Sequence, residues 1–453
     1  MRKWQLITYS TLILTTAGAL MAQEAGTFQR SAPERHGGGW EQRWTLESPV
    51  KDGARLMLRA ESGAVDIRPE GAGALKCVVV LRADRSDEAA ARRLFDELHA
   101  SVKTLEGGGL YITSEGPGHR RHGPGVSVQF HLTVPQRFNV DIETQGGDVD
   151  VSNALTGEAK LTTAGGNVRV ADISGLLRIE TAGGNISLNK VGGKLEARTA
   201  GGSIHVGDVG ADASLETSGG EISTGRVIGT LRAETAGGDL VIGGAGGQLV
   251  AQTAGGQISV GPSGGSVRAE TAGGSIRLHG ARGRVVVETE GGSIDLLNVE
   301  SAVRASTSAG RILAQFNCTK QSFGPSELAT SMGDVFVYLP VNVPLTIDAA
   351  IDAAAGHRII SDFPLVVQGQ EEVVPSTIRG HGALLGGGEI LKIRTVSGNI
   401  EIRKLDAQSL RDMEQRESTN WKAWDERRTE KQQRSEQRVR ELQQKKDQAD
   451  ENH

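Results

Sequence analysis

A near-identical segment recurs ten times between Thr144 and Gly310, and this repeat constrains the fold more than any other feature of the chain. Each copy reads threonine, a small or polar residue, usually two glycines, one polar residue and then an aliphatic residue. After a first step of 19 residues the threonines are spaced 18 apart, at positions 144, 163, 181, 199, 217, 235, 253, 271, 289 and 307. A fixed period near twenty residues is typical of a solenoid, in which each copy forms one coil stacked on the last.

Within one coil, such as residues 231–247, the sequence predicts two short strands joined by two glycine-rich corners. Leu231, Ala233 and Thr235 alternate with polar residues, which is the period-2 pattern of a strand with one buried face. The pair Gly237-Gly238 then predicts a turn, because glycine adopts positive φ without steric cost. A second alternating aliphatic pair and a second glycine run complete the coil.

The inward positions of successive coils form aliphatic columns, and one column is mostly alanine. No aromatic residue lies between Phe138 and Phe316, so the core must be thin, and we expect the flanking aromatics to close its ends: Phe130, Phe138, Phe316, Phe336 and Tyr338. Strands stack about 4.8 Å apart, so ten coils predict a rod of roughly 45–50 Å. The sequence therefore predicts an all-β fold, a parallel β-solenoid in right-handed β-helix geometry. A left-handed hexapeptide helix, which also has 18 residues per coil, is the alternative.

The repeated threonine has the same parity as the aliphatic residues before it, so its side chain is predicted to point inward. We interpret the column as a buried hydroxyl ladder, each hydroxyl bonding to a neighbouring coil or to the backbone of the turn. An ice-binding array would need outward-facing threonines, and parity argues against it.

The rest of the chain divides by composition. We predict a signal peptide at 1–22, a linker at 23–43, a β-rich N-terminal cap at 44–143, regular solenoid at 144–325, irregular closing coils with an insertion at 326–405 and a charged tail at 406–453. In the cap we expect one helix at 86–103, capped by Ser86, and strands at 54–60, 64–69, 75–82, 109–114, 126–134 and 138–144.

The two termini bear on location and attachment. Residues 1–22 combine Arg2 and Lys3 with an apolar stretch, which predicts export to the periplasm or the cell surface and no membrane span after signal removal. The tail has too few apolar residues for heptads, so a solvated helix is expected, with disorder as the alternative. Trp421 and Trp424 would share one helical face there.

The sequence contains no convincing catalytic or ligand-binding motif, so no catalytic, cofactor-binding or metal-binding residue is predicted. The nine-residue glycine echo resembles calcium-binding β-rolls, but the aspartates that would bind calcium are replaced by aliphatic residues. His119 and His122, in the glycine-rich loop 116–125, lack a third ligand. A column of outward glutamates, with arginines beside it, indicates a solvated face of paired charges: Glu180, Glu216, Glu234, Glu270 and Glu288, with Arg178, Arg232 and Arg268.

Charge and cysteine content exclude little else. The net charge of −5, with both signs interspersed, indicates no nucleic-acid partner. Cys77 and Cys318 lie in the two flanks, and we favour two buried free thiols over a disulfide, which an exported protein would also permit.

The repeated motif E-T-A-G-G-x-I-x-L, the segment 132–149 and the segment 387–400 resemble the exported bacterial DUF4097-type β-strand-repeat proteins, described as putative adhesins. The resemblance covers about 44–403 and is structural. It implies a right-handed parallel β-solenoid with an envelope-associated, non-enzymatic role, and it carries over no catalytic residue.

Taken together, these features predict a rigid, non-enzymatic module of the cell envelope that binds an unknown envelope protein or glycan, with no cofactor. One alternative is an envelope-stress accessory protein that binds a membrane regulator through its tail. The other is a carbohydrate-active β-helix enzyme, which the lack of aromatic platforms in the rod disfavours.

Overall fold

The computed structural model describes residues 26–71, 73–116, 126–319, 321–370 and 376–405. The N-terminal elements are β1 (Gln29–Arg30), β2 (Glu34–His36), β3 (Gly39–Pro49), β4 (Arg55–Ala60), β5 (Ala64–Pro69), β6 (Ala74–Ala83), α1 (Glu88–Asp96), β7 (His99–Thr104), β8 (Leu110–Glu115) and β9 (Val126–Val134). Among the described residues α1 is the one helix, and it is not long and apolar enough to cross a membrane.

The regular coils each contribute a pair of strands. In chain order these are β10 (Asn139–Thr144), β11 (Val149–Val151), β12 (Ala159–Thr163), β13 (Val168–Ile173), β14 (Leu177–Thr181), β15 (Ile186–Val191), β16 (Leu195–Thr199), β17 (Ile204–Val206), β18 (Ala213–Thr217), β19 (Ile222–Thr224), β20 (Leu231–Thr235), β21 (Leu240–Ile242), β22 (Leu249–Gln252), β23 (Ile258–Val260), β24 (Val267–Thr271), β25 (Ile276–Leu278), β26 (Val285–Thr289), β27 (Ile294–Val299), β28 (Val303–Ala309), β29 (Ile312–Phe316), β30 (Ser326–Met332) and β31 (Val335–Leu339).

The last strands are β32 (Leu345–Ile351), β33 (Ile359–Ser361), β34 (Val366–Gln368), β35 (Ile378–Leu384), β36 (Glu389–Ser397) and β37 (Ile400–Lys404). Strands of successive coils pair in parallel and in register, for example β20 with β22 and β21 with β23. They form two long sheets of 18 and 19 strands, which we call sheet A and sheet B. Sheet A contains the first strand of each coil and sheet B the second, so the predicted parallel β-solenoid is confirmed. Its handedness stays a prediction.

The coil has a third side that the sequence reading did not include. Isolated parallel bridges connect Val191 to Val209, Val209 to Val227 and Val227 to Ala245, each 18 residues apart. These side chains are buried and make a third inward column between the end of sheet B and the next strand of sheet A. The cross-section is therefore closed by one residue per coil, and the prediction of two arms per coil was incomplete.

The threonine ladder is confirmed. Thr235 is buried, and its hydroxyl donates to the carbonyl oxygen of Gly220 in the preceding coil at 2.9 Å while it accepts the amide of Gly238 at 3.3 Å. The hydroxyl bond to the preceding coil recurs from Thr163 to Thr307. Each threonine therefore links two coils at the corner, where strand pairing ends.

The glycine pair at this corner has a different cause from the one predicted. Gly238 does not have positive φ. A β-carbon placed on it would lie 2.1 Å from the carbonyl oxygen of Gly220, whereas one on Gly237 would lie 3.5 Å from the nearest atom, the oxygen of Gly219. The second glycine is required because stacked backbones approach too closely for a side chain, and the positive-φ explanation was wrong for it.

The N-terminal region differs from the prediction in two places. Residues 23–43 were expected to be a linker, but β1, β2 and the start of β3 lie there, and β3 pairs antiparallel with β6 along ten residues. The helix expected at 86–103 spans only Glu88–Asp96, with Asp87 as its N-cap. The apolar Val102 belongs instead to β7, which pairs antiparallel with β8. Pairing with the next strand in a hairpin outweighed the local helical pattern.

Both ends of the rod are threaded out of chain order. At the N-terminal end the coil β4–β5 lies between the later coils β8–β9 and β10–β11. At the C-terminal end β36–β37 lies between β30–β31 and the earlier coil β32–β33. Antiparallel strands finish each end, with β7 and β6 on one and β35 on the other. This threading brings distant segments of the chain onto one face.

Candidate functional site

The outer face of sheet A carries the predicted glutamate column, and its charges are largely paired within the face. Glu216 and Glu234 lie side by side in adjacent strands. Arg198 Nε lies 3.3 Å from a Glu216 carboxylate oxygen, and further ion pairs join neighbouring residues of the face: Arg178 with Glu196, Arg232 with Glu234, and Arg268 with Glu270. These side chains are partly exposed, and such pairs contribute about 0–1 kcal/mol each. The predicted solvated face of paired charges is confirmed.

The outer face of sheet B has a shallow depression near its N-terminal end, with an open volume of about 300 Å³. Valines of β6 lie at its centre and polar side chains surround them; the lining is Glu41, Arg43, Val78, Val80, Arg82, Gln129 and His131. Strands β3, β6 and β9 supply these residues, and their antiparallel pairing places Arg43 beside Val80 and Val80 beside Gln129. Five of the seven lining residues are polar or charged, so the depression differs from the mainly apolar clefts that hold most small ligands and is a polar surface feature.

Glu41 organises one side of this depression. It is only 5% exposed, and its two carboxylate oxygens accept hydrogen bonds from Arg43 Nε at 2.7 Å and from Arg82 Nε at 2.8 Å. Burial alone would raise the pKa of Glu41, but the hydrogen bonds from Arg43 and Arg82 outweigh it, so this pKa lies below its usual value. The carboxylate is therefore ionised and holds two guanidinium groups in place.

The opposite side of the depression is held by an aspartate. His131 Nδ1 donates to Asp66 Oδ2 at 3.3 Å, and the Arg68 guanidinium lies 3.0 Å from the same oxygen. The hydrogen bond from His131 is the main reason that the pKa of Asp66 is lowered, and Arg68 adds to it against the effect of burial. Asp66 reaches this place because the coil β4–β5 is inserted beside β9.

Beside Asp66 in the next coil lies Asp150, with the opposite shift. Burial raises the pKa of Asp150, and repulsion from Asp66 and Asp148 acts in the same direction. Asp148 in turn pairs with Arg169 at 3.3 Å. Attraction from Arg169 lowers the pKa of Asp150 in part, and the two neighbouring carboxyl groups have pKa values shifted in opposite directions. Among the described residues no group of three His, Cys, Asp or Glu could hold a metal ion.

The other end of the same face carries two aromatic rings. Strand β31 alternates buried Val335, Val337 and Leu339 with half-buried residues that face outward, Phe336 and Tyr338. We expected these two rings to close the end of the core, and this was wrong for both. Phe130, Phe138 and Phe316 do lie fully buried in the core.

Sequence reasoning missed both regions for different reasons. The alternation V-F-V-Y-L already indicated outward rings, so Phe336 and Tyr338 could have been found from parity. The polar depression could not have been found from the sequence, because Glu41, Asp66 and His131 come together only through the antiparallel strand β3 and the inserted coil.

The comparisons with known proteins bear on the fold. The family model described as Toastrack DUF4097 matches residues 126–227. Over these residues the chain is similar to the Toastrack DUF4097 family. The resemblance predicted from the repeat motifs is thereby confirmed, with the model covering part of the 44–403 span. No curated protein matches the chain.

Several solved structures have some similarity to this chain. A "putative adhesin" from Bacteroides fragilis NCTC 9343 is 12% identical, with 80% of this chain and 97% of that chain covered and a TM-score of 0.23. Another from Parabacteroides distasonis ATCC 8503 is 12% identical, with 66% and 97% covered and a TM-score of 0.25. A "putative lipid binding protein" from the same organism is 13% identical, with 65% and 94% covered and a TM-score of 0.22. At these TM-scores the similarities add no argument about function.

The remaining predictions concern the two cysteines and the segments outside the described residues. Cys77 and Cys318 are both free and buried, so the preferred prediction of two buried thiols is confirmed. The signal segment 1–22, the loop histidines His119 and His122, and the tail 406–453 with its two tryptophans lie outside the described residues.

Proposed function

We propose that this chain is an exported, non-enzymatic, adhesin-like module of a bacterial cell envelope, and that the outer face of sheet B binds its protein or glycan partner. The observation that carries the proposal is the contrast between the two long faces. Sheet A presents charge columns that pair with one another, whereas sheet B has a polar depression at one end and outward aromatic rings at the other.

The solenoid suits such a role because its shape is held at every coil. Parallel strand pairing, the threonine ladder and the close glycine contacts all repeat along the rod, so a face of sheet B keeps fixed distances between its features. A preorganised surface loses little conformational entropy on binding.

The test uses the chain without the predicted signal segment 1–22, immobilised and exposed first to envelope extract and then to a glycan array. We expect saturable capture of one partner, weakened when Arg43 is changed to serine and unchanged when Arg198 on sheet A is changed to serine. Capture that is lost only when 406–453 is removed would support the alternative of a tail that binds a membrane regulator. No capture in either format would contradict the proposal.

A carbohydrate-active enzyme is the second candidate, because Asp66 and Asp150 lie side by side on adjacent strands of sheet B and such enzymes use a pair of carboxyl groups. An enzyme would release reducing ends from a bound polysaccharide, and Asp150→Asn would abolish that release. Binding without turnover by the unchanged chain would leave the adhesin-like function as the better description.

A further inference from the structure

The outward rings of β31 differ from the regular coils that precede them. From β10 to β29 the outward positions of both sheets hold no aromatic residue. Phe336 and Tyr338 alternate with three buried aliphatic residues, so their rings lie on the surface of sheet B and take no part in the core. A half-buried ring on an outer face contributes less to folding than a core ring, and it leaves one surface available for a ligand.

Strand register defines what surrounds each ring. Phe336 lies between Leu313 of β29 and Glu401 of β37, and Tyr338 lies between Gln315 of β29 and Arg403 of β37. We call these six residues the aromatic platform. Within the described part of the chain the Tyr338 hydroxyl has no hydrogen-bond partner.

The rim on the β37 side contains a cluster of ion pairs. Arg403 Nη2 donates to Glu401 at 2.9 Å, and Arg403 Nη1 donates to Asp362 at 3.2 Å. Two carboxylates therefore orient the Arg403 guanidinium beside Tyr338. A guanidinium has five N–H donors, so it can keep these bonds and also donate to a ligand.

The rim on the β29 side is irregular in a way that the regular coils are not. The register of β27 and β29 shifts between Leu296 and Val299, and Asn298 has a φ of 53°, which is uncommon outside glycine. Gln315 donates to Asn298 Oδ1 at 3.3 Å, is only 1% exposed, and its own amide oxygen has no partner among the described residues. A bulge, a strained backbone and an unpaired buried amide in one place are features of binding sites.

We propose that the aromatic platform binds a saccharide, whose apolar ring face packs on Phe336 and Tyr338 and whose hydroxyl groups bond to Tyr338, Glu401 and Arg403. The inference rests on the proposed binding function and narrows it to a glycan ligand at one place. The platform is one strand wide and has charged residues at its edge. A protein interface usually needs 20–30 residues on each side, whereas one or two sugar rings need only such a footprint. The Arg403 guanidinium donates hydrogen bonds and the Glu401 carboxylate accepts them, and both lie on the strand next to the rings. Neighbouring hydroxyl groups of a sugar need both a donor and an acceptor.

The experiment measures binding of the chain without residues 1–22 to an array of neutral hexose and N-acetylhexosamine oligosaccharides of a few units, with an acidic peptide as a competing probe. The variants are Phe336→Ala, Tyr338→Ala and Tyr338→Phe. The matched control is Tyr111→Ala, which removes an outward ring from β8 on sheet A. Far-UV circular dichroism and the melting temperature of each variant show whether it is folded.

We expect Phe336→Ala and Tyr338→Ala to weaken saccharide binding by about tenfold or more, as loss of a central aromatic contact does. Tyr338→Phe should weaken it by about two- to tenfold through loss of one hydrogen bond, and Tyr111→Ala should have no effect. Saccharide binding that survives both alanine variants would overturn the platform and leave the proposed function intact. Binding of the acidic peptide in place of any saccharide, or absence of all binding, would overturn the glycan assignment, whereas capture from envelope extract tests the proposed function separately.

Discussion

The close approach of stacked coils at the glycine corner makes a sharp prediction about two adjacent residues. Alanine at Gly238 should destabilise the protein strongly, and alanine at Gly237 should not. The two variants have the same composition and lie in the same corner, so any difference between them reports the packing of backbone on backbone.

The expected magnitude for Gly238→Ala follows from the contacts. The added carbon would lie 2.1 Å from the oxygen and 2.4 Å from the carbon of the Gly220 carbonyl, so the coils must separate locally by about 1 Å to reach ordinary contact. That movement breaks the hydrogen bond from the Thr235 hydroxyl to the Gly220 carbonyl. It also strains the backbone hydrogen bond from the Ile222 amide to the Asp239 carbonyl, which is 3.0 Å long. Two buried hydrogen bonds left unsatisfied cost about 2–6 kcal/mol.

For Gly237→Ala the expected sign is the opposite. Its added carbon would meet the Gly219 oxygen at 3.5 Å, which is ordinary contact, and φ there is not positive. Alanine should stabilise the chain by about 0.4–1 kcal/mol, because it restricts the unfolded state. The chain already contains such a change, since Ala309 follows Thr307 by two residues.

The assay is denaturant unfolding followed by far-UV circular dichroism. Solenoids can unfold in parts, so hydrogen exchange of the amides in the coils on either side should accompany it. If the two variants differ by less than about 1 kcal/mol, the steric explanation for the second glycine is refuted.

Four further outcomes can be measured. Thr235→Val should lower the free energy of unfolding by about 1–3 kcal/mol, because the Gly220 carbonyl loses its donor, and Thr235→Ser should restore most of it; equal losses for both would contradict the ladder. Burial raises the pKa of Cys77 to about 12 and that of Cys318 to about 11, so neither thiol should react with a thiol reagent at pH 8 until denaturant is added. The pKa of Asp66 is lower in the folded than in the unfolded state, so the ionised carboxylate stabilises the fold above the unfolded pKa and this stabilisation is lost as the pH falls. Asp66→Asn should therefore lower the melting temperature at pH 7 and have little effect near pH 2. The folded pKa of Asp150 is raised, so ionisation costs stability above the unfolded pKa; Asp150→Asn should raise the melting temperature at pH 7 and not near pH 2, and a fall at pH 7 would contradict the assignment.

Much of the candidate site was out of reach of the sequence because its residues are brought together by pairing between distant segments. Asp66 and His131 are 65 residues apart and meet because β5 pairs with β9. The segment 23–43 offers no repeat and no clear alternation, so β1 and β2 gave no signal. By contrast, the outward position of Phe336 and Tyr338 follows from alternation alone, and the error there was to assign every flanking ring to the core.

The amino-acid sequence by itself determined the solenoid, the inward threonine column and the aliphatic core, because each coil packs on its neighbours through residues that recur every 18 positions. Such stacking is a nearest-neighbour interaction, and one period contains all the information for it. Only the tertiary structure decided the third side of the coil, the order of the end coils and the features of sheet B. At the ends the repeat lapses, and free strand edges are satisfied by whichever segment pairs with them. That choice depends on the whole chain, and it produces the faces on which we place function.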